Sequence, residues 1–86
     1  MLITIKPNAQ EDLDYFAKHD KKKLSRIFDL LDDVVNNPFE GLGKPEKLRY
    51  DLTGCWSRRI DKVNHLVYKI DKNEVVVLTC RYHYKK

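Results

Sequence analysis

The sequence has few cysteines, no long apolar run, and little glycine or proline. Cys55 and Cys80 are far apart and form no CxxC or Cys/His ligand spacing, which argues against a structural zinc site and a disulfide-rich secreted scaffold. No stretch approaches the roughly 20 apolar residues that span a bilayer, and the N-terminus lacks the pattern of a signal peptide. These absences predict a cytoplasmic protein that neither enters a membrane nor holds a metal.

The composition predicts one folded domain over residues 1–86, with 42% hydrophobic and 35% charged residues. Its net charge of +4 is unevenly distributed: residues 1–43 carry 6 Lys/Arg against 8 Asp/Glu, whereas residues 44–86 carry 11 against 5. A localised positive field suits a polyanion, because neutralised phosphates release counterions. A lysine excess also serves solubility alone, so charge leaves nucleic-acid binding as an open alternative.

The first half of the chain predicts a short strand and two helices. Leu2–Ile5 is β-branched and apolar, which favours a strand. Asn8 is expected to cap the first helix, with Glu11 completing a capping box. Asp20 is the predicted cap of a second helix, which carries a wide apolar stripe and ends before Pro38.

The second half changes from helical period to alternation, which predicts a sheet. Strands are expected at about 48–52, 56–61, 65–70 and 74–82. Their short connections favour an antiparallel meander. The predicted fold class is therefore α+β, in the order β-α-α-β-β-β-β, with both helices on one face of a mainly antiparallel sheet. The opposite face should be open and polar, with side chains from Arg49, Ser57, Arg59 and His65.

Four sequence blocks resemble the toxins of the YoeB family, in the RelE-like superfamily. They are Pro38–Arg49 (PFEGLGKPEKLR), Leu52–Ile60 (LTGCWSRRI), Leu66–Tyr68 (LVY) and Cys80–Tyr84 (CRYHY). The blocks occur in order and at the family's separations over nearly the whole chain. The resemblance implies a toxin of a type II toxin–antitoxin system with a RelE-like fold. It further implies a ribosome-dependent endoribonuclease that cuts mRNA in the A site without metal or cofactor, by 2′-hydroxyl attack on the adjacent phosphate.

The same resemblance assigns roles to residues near the block centres and at the C-terminus. Glu46 matches the general base, His83 the general acid, and Arg59 the arginine that binds the phosphate. Tyr84 matches a tyrosine that supports the reacting nucleotide. Further substrate contacts are expected from Arg49, Arg58 and Arg81.

His65 departs from the family pattern. The family commonly reads HRLVY where this chain has Asn64–Tyr68 (NHLVY), so a titratable imidazole replaces a permanent charge. We expect His65 to help neutralise the phosphate when protonated, so that activity is favoured by acid.

The resemblance also implies partners. It predicts a YefM-like antitoxin whose acidic, partly disordered segment covers the basic site, together with the ribosome and mRNA, and it allows a homodimer. Two alternatives stay open: a ParE-like toxin that inhibits DNA gyrase, and a non-catalytic module that binds RNA or a peptide. Glu46 and His83 argue against the first, whereas the departure at His65 keeps the second open.

Overall fold

The computed structural model describes residues 1–81. Its helices are α1 (Pro7–His19) and α2 (Lys21–Asn36). Its strands are β1 (Leu2–Ile5), β2 (Glu46–Lys47), β3 (Cys55–Arg59), β4 (His65–Asp71) and β5 (Glu74–Thr79), and a 3-10 turn spans Tyr50–Leu52. No helix within residues 1–81 is long and apolar enough to cross a membrane.

The five strands form one mixed sheet in the order β1-β5-β4-β3-β2. Strands β2 to β5 are an antiparallel meander, and β1 pairs in parallel with β5. The predicted α+β class and meander are confirmed. Strand β5 lies in the interior of the sheet, between β1 and β4.

The helix starts are partly as predicted. The Asp20 side chain accepts a hydrogen bond from the Lys23 backbone N–H at 3.3 Å, which confirms the cap of α2. The capping box at Asn8 is wrong, because α1 begins at Pro7 and has no side-chain cap. Proline lacks an N–H and has a fixed φ, so it is well suited to the first helical position.

The strand predicted at 48–52 is also wrong. Strand β2 covers only Glu46–Lys47, and the chain then enters the 3-10 turn. Tyr50 has a φ of +59°, which interrupts extended backbone. The last strand is shorter than predicted, since β5 ends at Thr79; its predicted end at Tyr82 lies outside the described residues.

The main core lies between the two helices and one face of the sheet, where apolar burial drives folding. Its buried residues are Ala9, Phe16, Ile27, Leu30, Leu31, Val34, Ile60, Leu66, Tyr68, Val75, Val77 and Cys80. Trp56 packs against this core, and its ring centroid lies 4.9 Å from that of Phe39.

The other face of the sheet is less open than predicted. Leu48, Cys55 and Val67 form a second buried cluster there, packed against Leu52 and Leu78. The 3-10 turn that replaces the predicted strand supplies Leu52 to this cluster. Part of the face that was predicted to be polar is therefore apolar and buried.

Candidate active site

The strand register brings three of the predicted site residues to one end of the sheet. Glu46 pairs with Ser57, and Ser57 pairs with Val67 on the far side. In the neighbouring row, Arg59 pairs with His65. Directly paired residues, and residues two apart on a strand, point to the same face. Glu46, Arg59 and His65 therefore share the face turned away from the helices.

These three side chains differ in their access to solvent. Glu46 and Arg59 are exposed, whereas His65 is 7% exposed. Directly opposed residues have Cβ atoms about 4.5–5.5 Å apart, which is close enough for Arg59 and His65 to contact one phosphate. The arrangement offers a carboxylate that can accept a proton, a guanidinium that can bind an anion, and an imidazole beside it.

The loop before β2 is fixed to β3 at Gly43. The Arg59 backbone N–H donates to the Gly43 carbonyl at 2.7 Å. Gly43 has a φ of +80°, and a Cβ there would lie 2.8 Å from a methyl group of Leu30. Only glycine fits here, because a side chain would disfavour the positive φ and its Cβ would clash with Leu30. The sequence alone did not single out Gly43, yet this residue sets the path of the chain into Glu46.

Arg58 does not lie in this site, so its predicted contact with substrate is wrong. It is fully buried on the helix face of β3. Its guanidinium donates to the Asp33 carboxylate at 2.5 Å and to the Tyr68 hydroxyl at 3.1 Å. The other acceptors are the carbonyls of Asn37, Glu40 and Leu42. All five N–H donors are thus engaged.

The sequence contained a signal for this burial. Alternation along β3 places Arg58 with Trp56 and Ile60, both of which face the main core. A charge buried among apolar residues needs a partner, and Asp33 on α2 supplies it. The hydrogen bond from Arg58, and then that from the Leu42 backbone N–H, hold the pKa of Asp33 below its ordinary value. Sequence reasoning identified neither partner.

The remaining predicted residues lie elsewhere or outside the described part. Arg49 is exposed in the β2–β3 connection. Arg81 lies against α1, with its guanidinium carbon 3.4 Å from the centroid of the Tyr15 ring. His83 and Tyr84 lie outside the described residues. Within residues 1–81, no group of three or more His, Cys, Asp or Glu side chains could hold a metal ion.

Both cysteines are free and buried. Burial, together with the nearby Asp12 carboxylate, raises the pKa of Cys80 to about 12. Burial also raises the pKa of Cys55. Neither thiol forms an appreciable thiolate near neutral pH, as expected of structural rather than reactive cysteines.

Comparison with known proteins identifies the class. A profile of YoeB-like toxins of bacterial type II toxin–antitoxin systems matches residues 5–84. Toxin YoeB of Streptomyces coelicolor is 45% identical, covering 98% of this chain and 100% of that protein.

Two solved structures of Staphylococcus aureus proteins are similar throughout. In a YoeB–YefM complex the matching chain has a TM-score of 0.89 and 45% identity, covering 98% of this chain and 99% of that one. A YoeB dimer gives a TM-score of 0.91 and 46% identity, with 98% of each chain covered.

The two helices packed on a mixed five-stranded sheet have the architecture of the RelE-like toxins. The chain belongs to the YoeB-like toxin family of bacterial type II toxin–antitoxin systems.

Proposed function

We propose that this toxin is an endoribonuclease that inhibits translation by cutting mRNA in the ribosomal A site. The observation that carries the proposal is the shared face of Glu46, Arg59 and His65, in adjacent rows at one end of the sheet. It supplies a base and an anion-binding pair beside each other, and membership of the YoeB family supports the choice of substrate.

The reaction needs two proton transfers. Glu46 accepts the proton of the ribose 2′-hydroxyl as its oxygen attacks the adjacent phosphorus. The bond between phosphorus and the 5′-oxygen breaks, and His83 donates a proton to that leaving oxygen. The products are a 2′,3′-cyclic phosphate and a 5′-hydroxyl. Each well-placed acid or base typically contributes about 10²- to 10⁴-fold.

Positive charge stabilises the phosphorane between these steps. Arg59 fits this role because a guanidinium offers paired donors to phosphate oxygens. His65 adds charge when protonated. Tyr84 supports the reacting nucleotide, and Arg49 and Arg81 contact the RNA backbone. Side chains carry both proton transfers and the charge neutralisation, so we propose that no metal takes part.

The partner we propose is a YefM-like antitoxin, because the Staphylococcus aureus relative forms a complex with YefM. An acidic, partly disordered segment would cover the basic site, folding as it binds. Replacement of Arg49, Arg59 and His83 by alanine should weaken antitoxin binding measured by calorimetry. Unchanged affinity would show that the antitoxin does not cover this face.

A homodimer is a further proposal, based on the Staphylococcus aureus YoeB dimer. Light scattering over a concentration series tests it. A mass that doubles with concentration is expected, whereas the monomer mass throughout would contradict a dimer.

The deciding experiment combines the purified chain with programmed ribosomes and a defined mRNA. The toxin is treated with EDTA, and the chelator is removed before ribosomes are added, because ribosomes need Mg²⁺. Cleavage within the A-site codon that leaves a 5′-hydroxyl, and that is lost in Glu46→Ala and His83→Ala, is the expected result. No cleavage by the folded wild-type chain would contradict the proposal; a gyrase supercoiling assay would then test the ParE-like alternative.

A further inference from the structure

The chain leaves the sheet after β5 along helix α1. Three successive contacts join the last described residues to this helix. The Cys80 backbone N–H donates to the Asp12 carboxylate at 2.9 Å, and its Sγ lies 3.7 Å from the Ala9 carbonyl. Arg81 stacks on the ring of Tyr15. Positions 9, 12 and 15 recur every three residues, so they lie along one side of α1.

A shift in strand register produces this path. Tyr68 pairs with Val77, but Val67 pairs with Thr79, which leaves one extra residue in β5. Strict alternation from Val77 would turn Cys80 away from the helices. The extra residue reverses this, so Cys80 enters the main core beside α1. Such irregularities commonly redirect side chains next to active sites.

The two polar contacts then fix the direction of the backbone. The Asp12 carboxylate satisfies the Cys80 N–H where strand pairing has ended, and a charged acceptor makes this bond stronger than a neutral one. The Tyr15 ring, on which Arg81 stacks, is itself held in place. It packs edge-on against Phe16 with centroids 5.6 Å apart and against His19 at 4.5 Å.

The anchoring of residues 80–81 affects catalysis because His83 is close to them in the chain. His83 follows Arg81 by two residues, and two residues span at most about 7 Å. The position of Arg81 therefore limits where the His83 imidazole can act. A displacement of about 1 Å in a reacting group can lower a rate about 100-fold.

We propose that Asp12 and Tyr15 are positioning residues, which direct the C-terminal segment so that His83 meets the leaving oxygen beside Arg59 and His65. The proposal rests on the assignment of His83 as the general acid under the proposed function. Neither Asp12 nor Tyr15 contacts the RNA in this scheme; both act through the backbone and side chain of residues 80–81.

The test separates the ring of Tyr15 from its hydroxyl. Tyr15→Leu removes the stacking surface and Tyr15→Phe keeps it. Asp12→Ala removes the acceptor of the Cys80 N–H, whereas Asp12→Asn keeps a neutral one. Asp14→Asn is the matched control, because Asp14 is exposed on the same helix and bonds only to Gln10 among the contacts described for residues 1–81. Tyr15 is 37% exposed, so its variants should fold.

We expect Tyr15→Leu and Asp12→Ala each to lower kcat for ribosomal mRNA cleavage by about 10- to 100-fold with KM within about twofold. Tyr15→Phe, Asp12→Asn and Asp14→Asn should stay within about threefold of wild type. An unchanged kcat in folded Tyr15→Leu or folded Asp12→Ala, or an equal loss in Tyr15→Phe, would overturn the proposal.

A second measurement does not depend on cleavage. The His83 ring resonances, recorded by NMR in the intact chain, should shift in Tyr15→Leu and stay unchanged in Asp14→Asn. If the wild type cut no RNA but this shift occurred, the proposed function would fail while the positioning held. An unmoved His83 signal in Tyr15→Leu would overturn the positioning whatever the activity.

Discussion

Arg58 and Arg59 are adjacent in the chain, yet their side chains lie on opposite faces of β3. Arg58 is fully buried and donates to Asp33, whereas Arg59 is exposed and pairs across the sheet with His65. One arginine holds the loop that leads into β2, and the other is available to a phosphate. The two should therefore respond differently to substitution.

Arg58→Ala should destabilise the fold, whereas Arg59→Ala should not. Breaking a buried ion pair typically costs about 3–5 kcal/mol, while exposed substitutions stay within about 0.5 kcal/mol. Urea unfolding followed by circular dichroism measures both. Arg59→Ala should nevertheless lose RNA cleavage, because it removes the proposed phosphate contact while the fold stays intact. Equal losses of stability in the two variants would contradict this division.

The Arg58–Asp33 pair should make stability depend on acid. The pKa of Asp33 in the folded chain is lowered from its ordinary 3.8. A lowered pKa adds stability that is complete above the unfolded-state pKa and is lost as the pH falls through the folded-state value. Thermal midpoints should therefore fall below about pH 4 more steeply in wild type than in Asp33→Asn. Parallel pH profiles for the two proteins would refute this contribution.

Glu46→Gln should abolish most cleavage without unfolding the chain. The amide has the same shape but cannot accept the 2′-hydroxyl proton, so the rate should fall by about 10²- to 10⁴-fold. Glu46 is exposed, so the unfolding midpoint should stay near that of wild type. Asp51→Asn, another exposed carboxylate, serves as the control. A cleavage rate in Glu46→Gln close to wild type would exclude Glu46 as the base.

His65→Arg should flatten the dependence of cleavage on pH. An imidazole with an ordinary pKa of about 6.5 loses its charge near neutrality, whereas a guanidinium keeps it. The wild-type rate should rise as the pH falls from 8 to about 6, and this rise should be smaller in His65→Arg, in which only the proposed acid His83 still gains a proton. The same rate and pH optimum in both proteins would show that His65 does not help to neutralise the phosphate.

Both cysteines should resist alkylation in the folded chain. Cys80 is fully buried and has a pKa of about 12, and Cys55 is 8% exposed with a raised pKa. Only the thiolate reacts readily, so iodoacetamide at pH 8 should label neither until urea is added. Mass spectrometry counts the labels. Fast labelling of the native chain would contradict the burial of these thiols.

Local signals predicted much of the fold. Helix α2 was predictable because its cap at Asp20 and its apolar stripe are both encoded within one segment. Alternation correctly predicted that Ser57, Arg59 and His65 share a face, which the register confirms. Strand β2 was mispredicted because the left-handed backbone of Tyr50 is not implied by its β propensity.

The burial of Arg58 depends on long-range contacts. Its partner Asp33 is 25 residues earlier in the chain, and no local pattern links the two. The docking of Cys80 on Asp12 spans 68 residues and follows a one-residue shift in register, which sequence alone does not reveal. The sheet face on which the site residues lie was thus predictable from the sequence. The distant residues that hold Arg58 and Cys80 in place were not.

The placement of β5 between β1 and β4 has a consequence for folding. Strand β1 pairs in parallel with β5, and Leu2 and Glu74, which are partners in this pair, are far apart in the chain. Pairs of such high sequence separation cost loop-closure entropy before they stabilise the sheet, so they form slowly. We therefore expect β1 to join the sheet late in folding, after the hairpins of the meander have formed.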